Sequence, residues 1–489
     1  MYLKTNYKSV FPQILLALVG VAIVFLVTPH GVGISPDSIA YIKGGRSLLE
    51  HGSVNGLPTH WPPGYPILLA LFSIPNGDYL TAARFINVLV FGMNIFLFSA
   101  LLQKSGWDRL YASLLAALLI FDPDFLNVHL MAWSEPSFLL LMLAGLLAFL
   151  AYAESKSTKY LYVAGIAFGM SVIVRYAGMS LIFCVALILL FQCMEQKSDE
   201  RLLVRLRPLL QFLSIALLPI SLWIVSKLSA AREGGIRSAM FHAMTADKWH
   251  EGLNTIGRWF GGPEVGLALL AIIVMLLVFG MKNMSVGAKR VLVFAGALLV
   301  SYCSFILVSL FFFDAAIPLD QRILSPAKLL INLIVFVSLH AVVVRWRPIS
   351  VGILAGLALL LNYQAARSSM YFSSQVGVGF ASVKLKNQPI FSFIGVNHIA
   401  VDATNSPELA FLYLNQEVPM LPALFDPVNR VPVAGYASEL ANLAQPRNTV
   451  VFFAASQPRD YLPTVQQLMN AGFVNVVYQQ PDGIILQHP

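Results

Sequence analysis

The stretch FPQILLALVGVAIVFLV at 11–27 carries no charged side chain, and comparable runs recur along the chain as far as Leu354. In hydrocarbon every backbone N–H and C=O must be satisfied within its own segment, so an uncharged apolar run of about 20 residues folds as a spanning helix. Apolar residues make up 57% of the 489 and charged residues 11%, whereas soluble domains carry about 25% charged residues. A soluble globular fold is excluded, and the sequence predicts an α-helical polytopic membrane protein with about eleven transmembrane helices.

The predicted spans lie near 11–28, 81–102, 109–121, 136–153, 160–174, 177–194, 208–227, 264–281, 291–312, 323–343 and 348–362. With the N-terminus in the cytoplasm, the internal loops carry Lys104 and Arg109, Lys156 and Lys159, Lys197 through Arg207, Lys282 through Arg290, and Arg345 with Arg347. Short, basic internal loops are what the positive-inside bias requires. The formal net charge of +8 is therefore mostly topological, and no nucleic-acid partner is expected. Three cysteines, Cys184, Cys193 and Cys303, fall in or at the ends of predicted spans and suggest neither a disulfide framework nor a zinc site. No small-residue cleavage site closes the first apolar run, so it is read as a retained span.

Composition changes after Tyr363. Beyond it, HIAVDATNSPELAFLYLNQ reads as a strand, a turn with Ser406 as N-cap and Pro407 as first helical residue, then a helix. NTVVFFAAS reads as a buried strand, DYLPTVQQLMNAGF as a helix ended by glycine, and VNVVYQQPDGIILQ as two strands around a Pro-Asp-Gly turn. The expected organisation is a membrane domain over 1–363 and a small α/β domain over 364–489 on the outer face. No glycine-rich phosphate loop assigns the latter a nucleotide.

The first outer segment, 29–80, is too long for a connector. Ser35 can cap a helix, Pro36 suits its first position, and Asp37 falls in the first turn, where the helix dipole favours an anion. Ile39, Ile42 and Leu49 then line one stripe, as in a helix lying on the membrane. THWPPGYPILLALFSI follows, with His60, a Pro-Pro corner, Trp61 and Tyr65 as interfacial anchors, and a second short apolar helix. Dipole complementation alone would explain Asp37, and a catalytic role is the competing reading.

The second outer loop, FDPDFLNVHLMAWSEPSF, gathers Asp122, Asp124, His129 and Glu135. Helix capping accounts for the acids, while a divalent-cation site or a clamp on sugar hydroxyls is the functional reading, since hard cations take oxygen ligands. Arg175 interrupts an apolar hairpin at its outer turn, where a charge is costly unless it reaches water or a partner. Arg322 opens a late span in the same leaflet. Either arginine could snorkel, or Arg322 could pair locally with Asp320. Together with Lys227, Arg232 and Arg237 they would also make a basic pocket for a phosphate headgroup.

The ordered series Asp37 with Tyr41, PPGYP at 62–66, AARFINVL from Ala82, SEPSF from Ser134, RYAG from Arg175 and RILSP from Arg322 resembles the GT-C integral-membrane glycosyltransferases. The similarity is to the branch of the dolichyl-phosphate-mannose protein mannosyltransferases and the lipid A aminoarabinose transferases. It covers nearly all of the membrane region and extends to TNSPELAFLYLNQEVPMLP in the tail. Where that branch usually has a second acid directly after the first-loop aspartate, this chain has Ser38. Asp122 and Asp124 are similar in position to the acidic pair with which related oligosaccharyltransferases bind a divalent cation.

The resemblance implies transfer of one sugar from a polyprenyl-phosphate lipid donor to a lipid, glycan or protein acceptor at the outer face of the plasma (inner) membrane. Asp37 would be the general base of an inverting reaction. Arg175, Arg322, Lys227 and Arg232 would hold the donor phosphate, and Tyr41, His60, Tyr65 and Glu135 would line the cavity. No cofactor is required by this scheme, with a divalent cation at Asp122 and Asp124 as its one optional element. A multi-span transporter or lipid flippase is the alternative; it would show repeats or charges near the midplane, which this sequence does not.

Overall fold

In the computed structural model the described residues are 10–52, 61–195, 202–230, 241–259, 262, 284–343, 348–426, 431–454 and 459–489. They divide into two compact units, Met1–Val32 with Tyr41–Gln375, and Gly33–Ala40 with Val376–Pro489.

The first unit is helical. Its elements are α1 (Phe11–Val27), α2 (Pro36–His51, entering this unit at Tyr41), α3 (Gly64–Ser73), α4 (Tyr79–Lys104), α5 (Arg109–Ala117), α6 (Pro123–His129), α7 (Glu135–Ser155), α8 (Thr158–Val174), α9 (Gly178–Glu195), α10 (Leu202–Ala216), α11 (Leu218–Ala230), α12 (Ala246–Arg258), α13 (Val286–Phe312), α14 (Ser325–Val343) and α15 (Pro348–Gln375). Every predicted span is helical except 264–281, which lies outside the described residues.

Among the described residues four helices, α4, α7, α9 and α13, are long and apolar enough to cross a membrane, or six spans if the bent pairs at 109–129 and 202–227 each count as one. The remaining expected crossings among them include shorter apolar helices such as α1, α8 and α14. The first bent pair turns by 69°. Its cause is local: Pro123 cannot donate to the preceding turn, and Asp122 restarts the helix by accepting the amides of Asp124 and Phe125, both at 3.0 Å.

Aromatic and aliphatic side chains of α4, α7, α8 and α13, such as Phe98, Phe138, Phe149, Phe168 and Tyr302, form one continuous core. Phe11, Leu18, Phe183, Phe191, Val293 and Val300 stay exposed, as lipid-facing side chains must. Two close approaches require glycine. A Cβ on Gly64 would stand 2.7 Å from the Ile173 carbonyl oxygen, so α3 lies directly against the last turn of α8; one on Gly178 would meet Ser171 Oγ at 2.5 Å.

The second unit is built on a four-stranded sheet in the order β1 (Ala403–Thr404), β2 (Thr449–Phe453), β4 (Gly483–Gln487), β3 (Asn475–Gln480). β1 runs parallel to β2, and the other pairs are antiparallel. The helix Val465–Asn470 starts with a reciprocal bond pair between Thr464 and Gln467, and Gly472 follows its end at φ +103°. Phe473, Leu468, Val450 and Leu486 fill the core beneath it. Ser406 stands at the N-cap and Pro407 in the first helical turn, as read from the sequence; the Ser406 side chain makes no capping bond, and its hydroxyl donates to the Glu408 carboxylate at 3.1 Å.

Segment Gly33–Ala40 belongs to this second unit. Ile34 bridges Gly379 in parallel, and the Phe380 amide donates to the Ile34 carbonyl at 2.8 Å.

Candidate functional site

Placement of the site begins with two asparagines seven residues apart in the apolar middle of α4, hence on one face. Asn87 donates to the carbonyls of His129 at 2.8 Å and Met131 at 2.5 Å, and Asn94 donates to the Pro136 carbonyl at 3.2 Å. Both are fully buried. They hold the turn between α6 and α7, and that turn delivers Trp133, Ser134 and Glu135.

Glu135 is 1% exposed. Its Oε1 pairs with Arg175 Nη1 at 2.5 Å and also with Arg322 Nε. Arg175 occupies the break between α8 and α9, with extended backbone at φ −150°, and the packing of Gly64 against Ile173 sets α3 beside that break. Ser134 links the group: Arg175 Nη1 donates to its hydroxyl at 3.1 Å, it reaches Glu135 Oε2 at 3.4 Å, and Tyr41 Oη lies 3.4 Å from it. Tyr41 in turn meets Tyr65 and Trp61 edge to face, with ring centroids 5.2 and 6.4 Å apart.

The Arg322 guanidinium stacks over the Trp133 ring at 4.5 Å. Asp320, the local partner considered from sequence, accepts the backbone amides of Arg322 and Ile323 at 3.0 and 2.9 Å and so shapes the turn; the Arg322 guanidinium forms an ion pair with Glu135. Burial pushes the Asp320 carboxyl up, against the Ile323 amide and the Arg322 charge, which pull it down.

Glu135 thus draws both guanidinium groups to one place, and the Arg175 and Arg322 side chains keep 16% and 14% of their surface accessible. Lys227 lies over the Trp223 ring at 4.7 Å, and the Trp223 indole N–H donates to the hydroxyl of Tyr176, the neighbour of Arg175, at 3.1 Å. Tyr65 is fully buried and its hydroxyl has no hydrogen-bond partner among the described residues. Arg232, Arg237 and His60 lie outside the described residues.

The acidic pair of the second loop is elsewhere engaged. Lys328 Nζ donates to Asp122 Oδ1 and Asp124 Oδ2, both at 2.8 Å, and Asn332 Nδ2 reaches Asp122 Oδ2 at 3.3 Å. An ammonium from α14 thus sits between the two carboxylates considered for a cation. Among the described residues no three His, Cys, Asp or Glu side chains form a group that could hold a metal ion. His129 is buried, sharing its ring nitrogens with Asn94 and the Phe125 carbonyl.

Asp37 stands in the first turn of α2. Ser35 Oγ accepts the Ser38 amide at 3.4 Å while Ser38 Oγ accepts the Ser35 amide at 3.0 Å. This is the reciprocal logic of a capping box with serine at the third helical position. Ser38, where the resembled branch has its second acid, completes the cap.

Asn87, Asn94, Trp133 and Lys328 are not singled out by the sequence, and Ser134 stands out only as the start of SEPSF. A signal existed for two kinds of them: polar side chains in register on an apolar span, and an ionisable residue inside one, point inward by default.

Residues 62–230 match the family model described as dolichyl-phosphate-mannose-protein mannosyltransferase. That range takes in Tyr65, Glu135, Arg175 and Lys227, and leaves Asp37 and Arg322 outside. Among curated proteins none matches the sequence significantly. The crystal structure of ArnT from Cupriavidus metallidurans bound to undecaprenyl phosphate superposes with a TM-score of 0.62 over 97% of each chain, at 13% identity. The archaeal oligosaccharyltransferase AglB from Archaeoglobus fulgidus, in complex with an inhibitory peptide and a dolichol-phosphate, gives 0.51 over 90% of this chain and 69% of its own, at 13% identity. The arabinofuranosyltransferase AftD from Mycobacteria gives 0.51 over 97% of this chain and 39% of its own, at 12% identity. The chain therefore has the multi-pass GT-C fold expected from its sequence.

Proposed function

We propose that this protein transfers a single sugar from a polyprenyl-phosphate donor to an acceptor hydroxyl, with Arg175 and Arg322 receiving the donor phosphate. The carrying observation is the convergence of two arginines, 147 positions apart in the sequence numbering, on one buried glutamate that gathers both guanidinium groups at a single place. A phosphate leaving group gains negative charge as the glycosidic bond breaks, and preorganised guanidinium donors stabilise that charge in a low-dielectric site. Glu135 sets the direction of both guanidinium groups, and the ring stack on Trp133 restrains Arg322 further.

Asp37 is assigned as general base on the acceptor hydroxyl, which attacks the anomeric carbon from the face opposite the phosphate and inverts it. In support, Asp37 stands in the first turn of α2, beside the Ser35 and Ser38 hydroxyls that serve each other's amides. The fold shared with ArnT, whose structure contains undecaprenyl phosphate, supports the class of carrier. We place the reaction at the outer face of the plasma membrane, with the second unit on that side, Lys227 and Arg232 as further contacts to the donor, and Tyr41, His60 and Tyr65 around the sugar.

Arg322→Ala tests the reading, because it leaves Glu135 balanced one to one by Arg175 and so spares the fold. The expected result is a fall of about a hundredfold to a thousandfold in kcat for transfer from a polyprenyl-phosphate sugar, with weaker binding of undecaprenyl phosphate. Unchanged turnover and binding would remove the phosphate assignment; absence of transfer by the unaltered protein would favour a transporter.

A second expectation concerns the acids. Lys328 supplies the positive charge that Asp122 and Asp124 require, so transfer is expected to continue at the same rate after exhaustive chelation of divalent cations. Loss of activity restored by magnesium or manganese ions would return those carboxylates to the role of metal ligands.

A further inference from the structure

The helix α12 has three distinct sides. Gly252 and Thr255 are buried; a Cβ on Gly252 would approach Leu319 Cδ1 to 3.0 Å. Next to them Glu251 divides its carboxylate, Oε1 accepting the Leu319 amide at 3.0 Å and Oε2 pairing with Lys248 at 2.8 Å. Asp247, His250, Asn254 and Arg258 make an exposed polar side. The third side is apolar and also exposed: Trp249, Leu253 and Ile256, spaced i, i+4, i+7, show 48%, 57% and 41% of their surface. Exposure of an aligned apolar stripe on a strongly amphipathic helix marks a surface that lies on something.

What it lies on follows from where the helix begins. Just before α12, Phe241 stacks on Phe311 with ring centroids 6.0 Å apart, and the His242 amide donates to the Phe311 carbonyl at 2.7 Å. Phe311 and Phe312 close α13, a 27-residue apolar span. The chain thus enters α12 at the depth where α13 leaves the hydrocarbon. Phe241, Phe312 and Phe313 are themselves exposed there, as in the aromatic belt of a membrane boundary.

We propose that α12 is an interfacial helix, seated by Trp249, Leu253 and Ile256 in the headgroup–acyl boundary of a phospholipid bilayer. Through Glu251 it fixes the Leu319 end of the loop that carries Arg322. An apolar stripe flanked by Asp, His, Asn and Arg suits a surface that is hydrocarbon on one side and water on the other. In its consequence for Arg322 the inference rests on the transferase reading above; in its placement of the helix it does not.

Leu253→Cys and, separately, His250→Cys would be spin-labelled in a chain whose three natural cysteines are serine, and reconstituted in phosphatidylcholine–phosphatidylglycerol vesicles. The label at 253 is expected to collide more with oxygen than with a water-soluble nickel chelate, and the label at 250 the reverse. Nickel preference at both positions would overturn the placement. So would dipolar broadening at 253, which would show a second copy covering the stripe.

Glu251→Ala is expected to raise KM for the lipid donor and to lower kcat, each about tenfold, a smaller version of the Arg322→Ala pattern, because a displaced loop misaligns the guanidinium. An unchanged KM would overturn the coupling to Arg322. If the unaltered protein transfers no sugar, the transferase reading fails and the label accessibilities still decide the seat of the helix.

Discussion

Asp37→Asn is expected to slow sugar transfer by about a hundredfold to ten-thousandfold, the range lost when a positioned general base is removed. Asparagine keeps the size of the side chain and its suitability for a helix start, but it cannot take the proton of the attacking hydroxyl. The helix should form as before, because the amides of Ser35 and Ser38 are served by each other's hydroxyls and Pro36 has no N–H to satisfy. Donor binding should also persist. The measurement is single-turnover transfer from a polyprenyl-phosphate sugar, together with binding of the carrier lipid. Full transfer by the asparagine form would show that the carboxylate serves the helix dipole alone.

Glu135→Gln should act on the other half of the site and in another way. The carboxylate touches both guanidinium groups; its amide replacement keeps the shape and one acceptor oxygen, yet removes the buried negative charge that both of them share. Breaking a buried ion pair by removing one partner costs about 3–5 kcal/mol. The expected outcome is a markedly lower unfolding temperature in detergent, with loss of activity following from the misplaced arginines. A double change, Glu135→Gln with Arg175→Gln, removes one charge of each sign and should recover most of the stability without recovering transfer. If the single variant melts where the unaltered protein does, Glu135 is not the counter-ion that orders this site.

The helical segments were legible in the sequence because bilayer hydrocarbon imposes a simple rule on backbone hydrogen bonds. Arg175 and Arg322 were legible as notable for the same reason, since charge beside long apolar runs demands a partner. Their shared partner was not legible: Glu135 is remote from both along the chain, and only the packing of α4 against the turn before α7, through Asn87 and Asn94, brings it there. Lys328 was overlooked beside the more conspicuous acids, although an isolated ammonium in a span is itself a demand for carboxylates. In the tail, alternation and turn residues located β2, β3, β4 and the helix after Thr464. Ser406 takes its expected place at a helix start, while its hydroxyl donates to Glu408.

The eight residues Gly33–Ala40 fold with the tail although they stand near the beginning of the chain. Ile34 is docked there against Gly379, whose backbone, at φ +59°, leaves a Cβ only 2.2 Å from the Ile34 carbonyl oxygen. The tail is therefore no detachable accessory in an evolutionary sense. A graft that exchanged it for an unrelated module would have to bring its own glycine at that bridge, or the stretch containing Asp37 would lose its template.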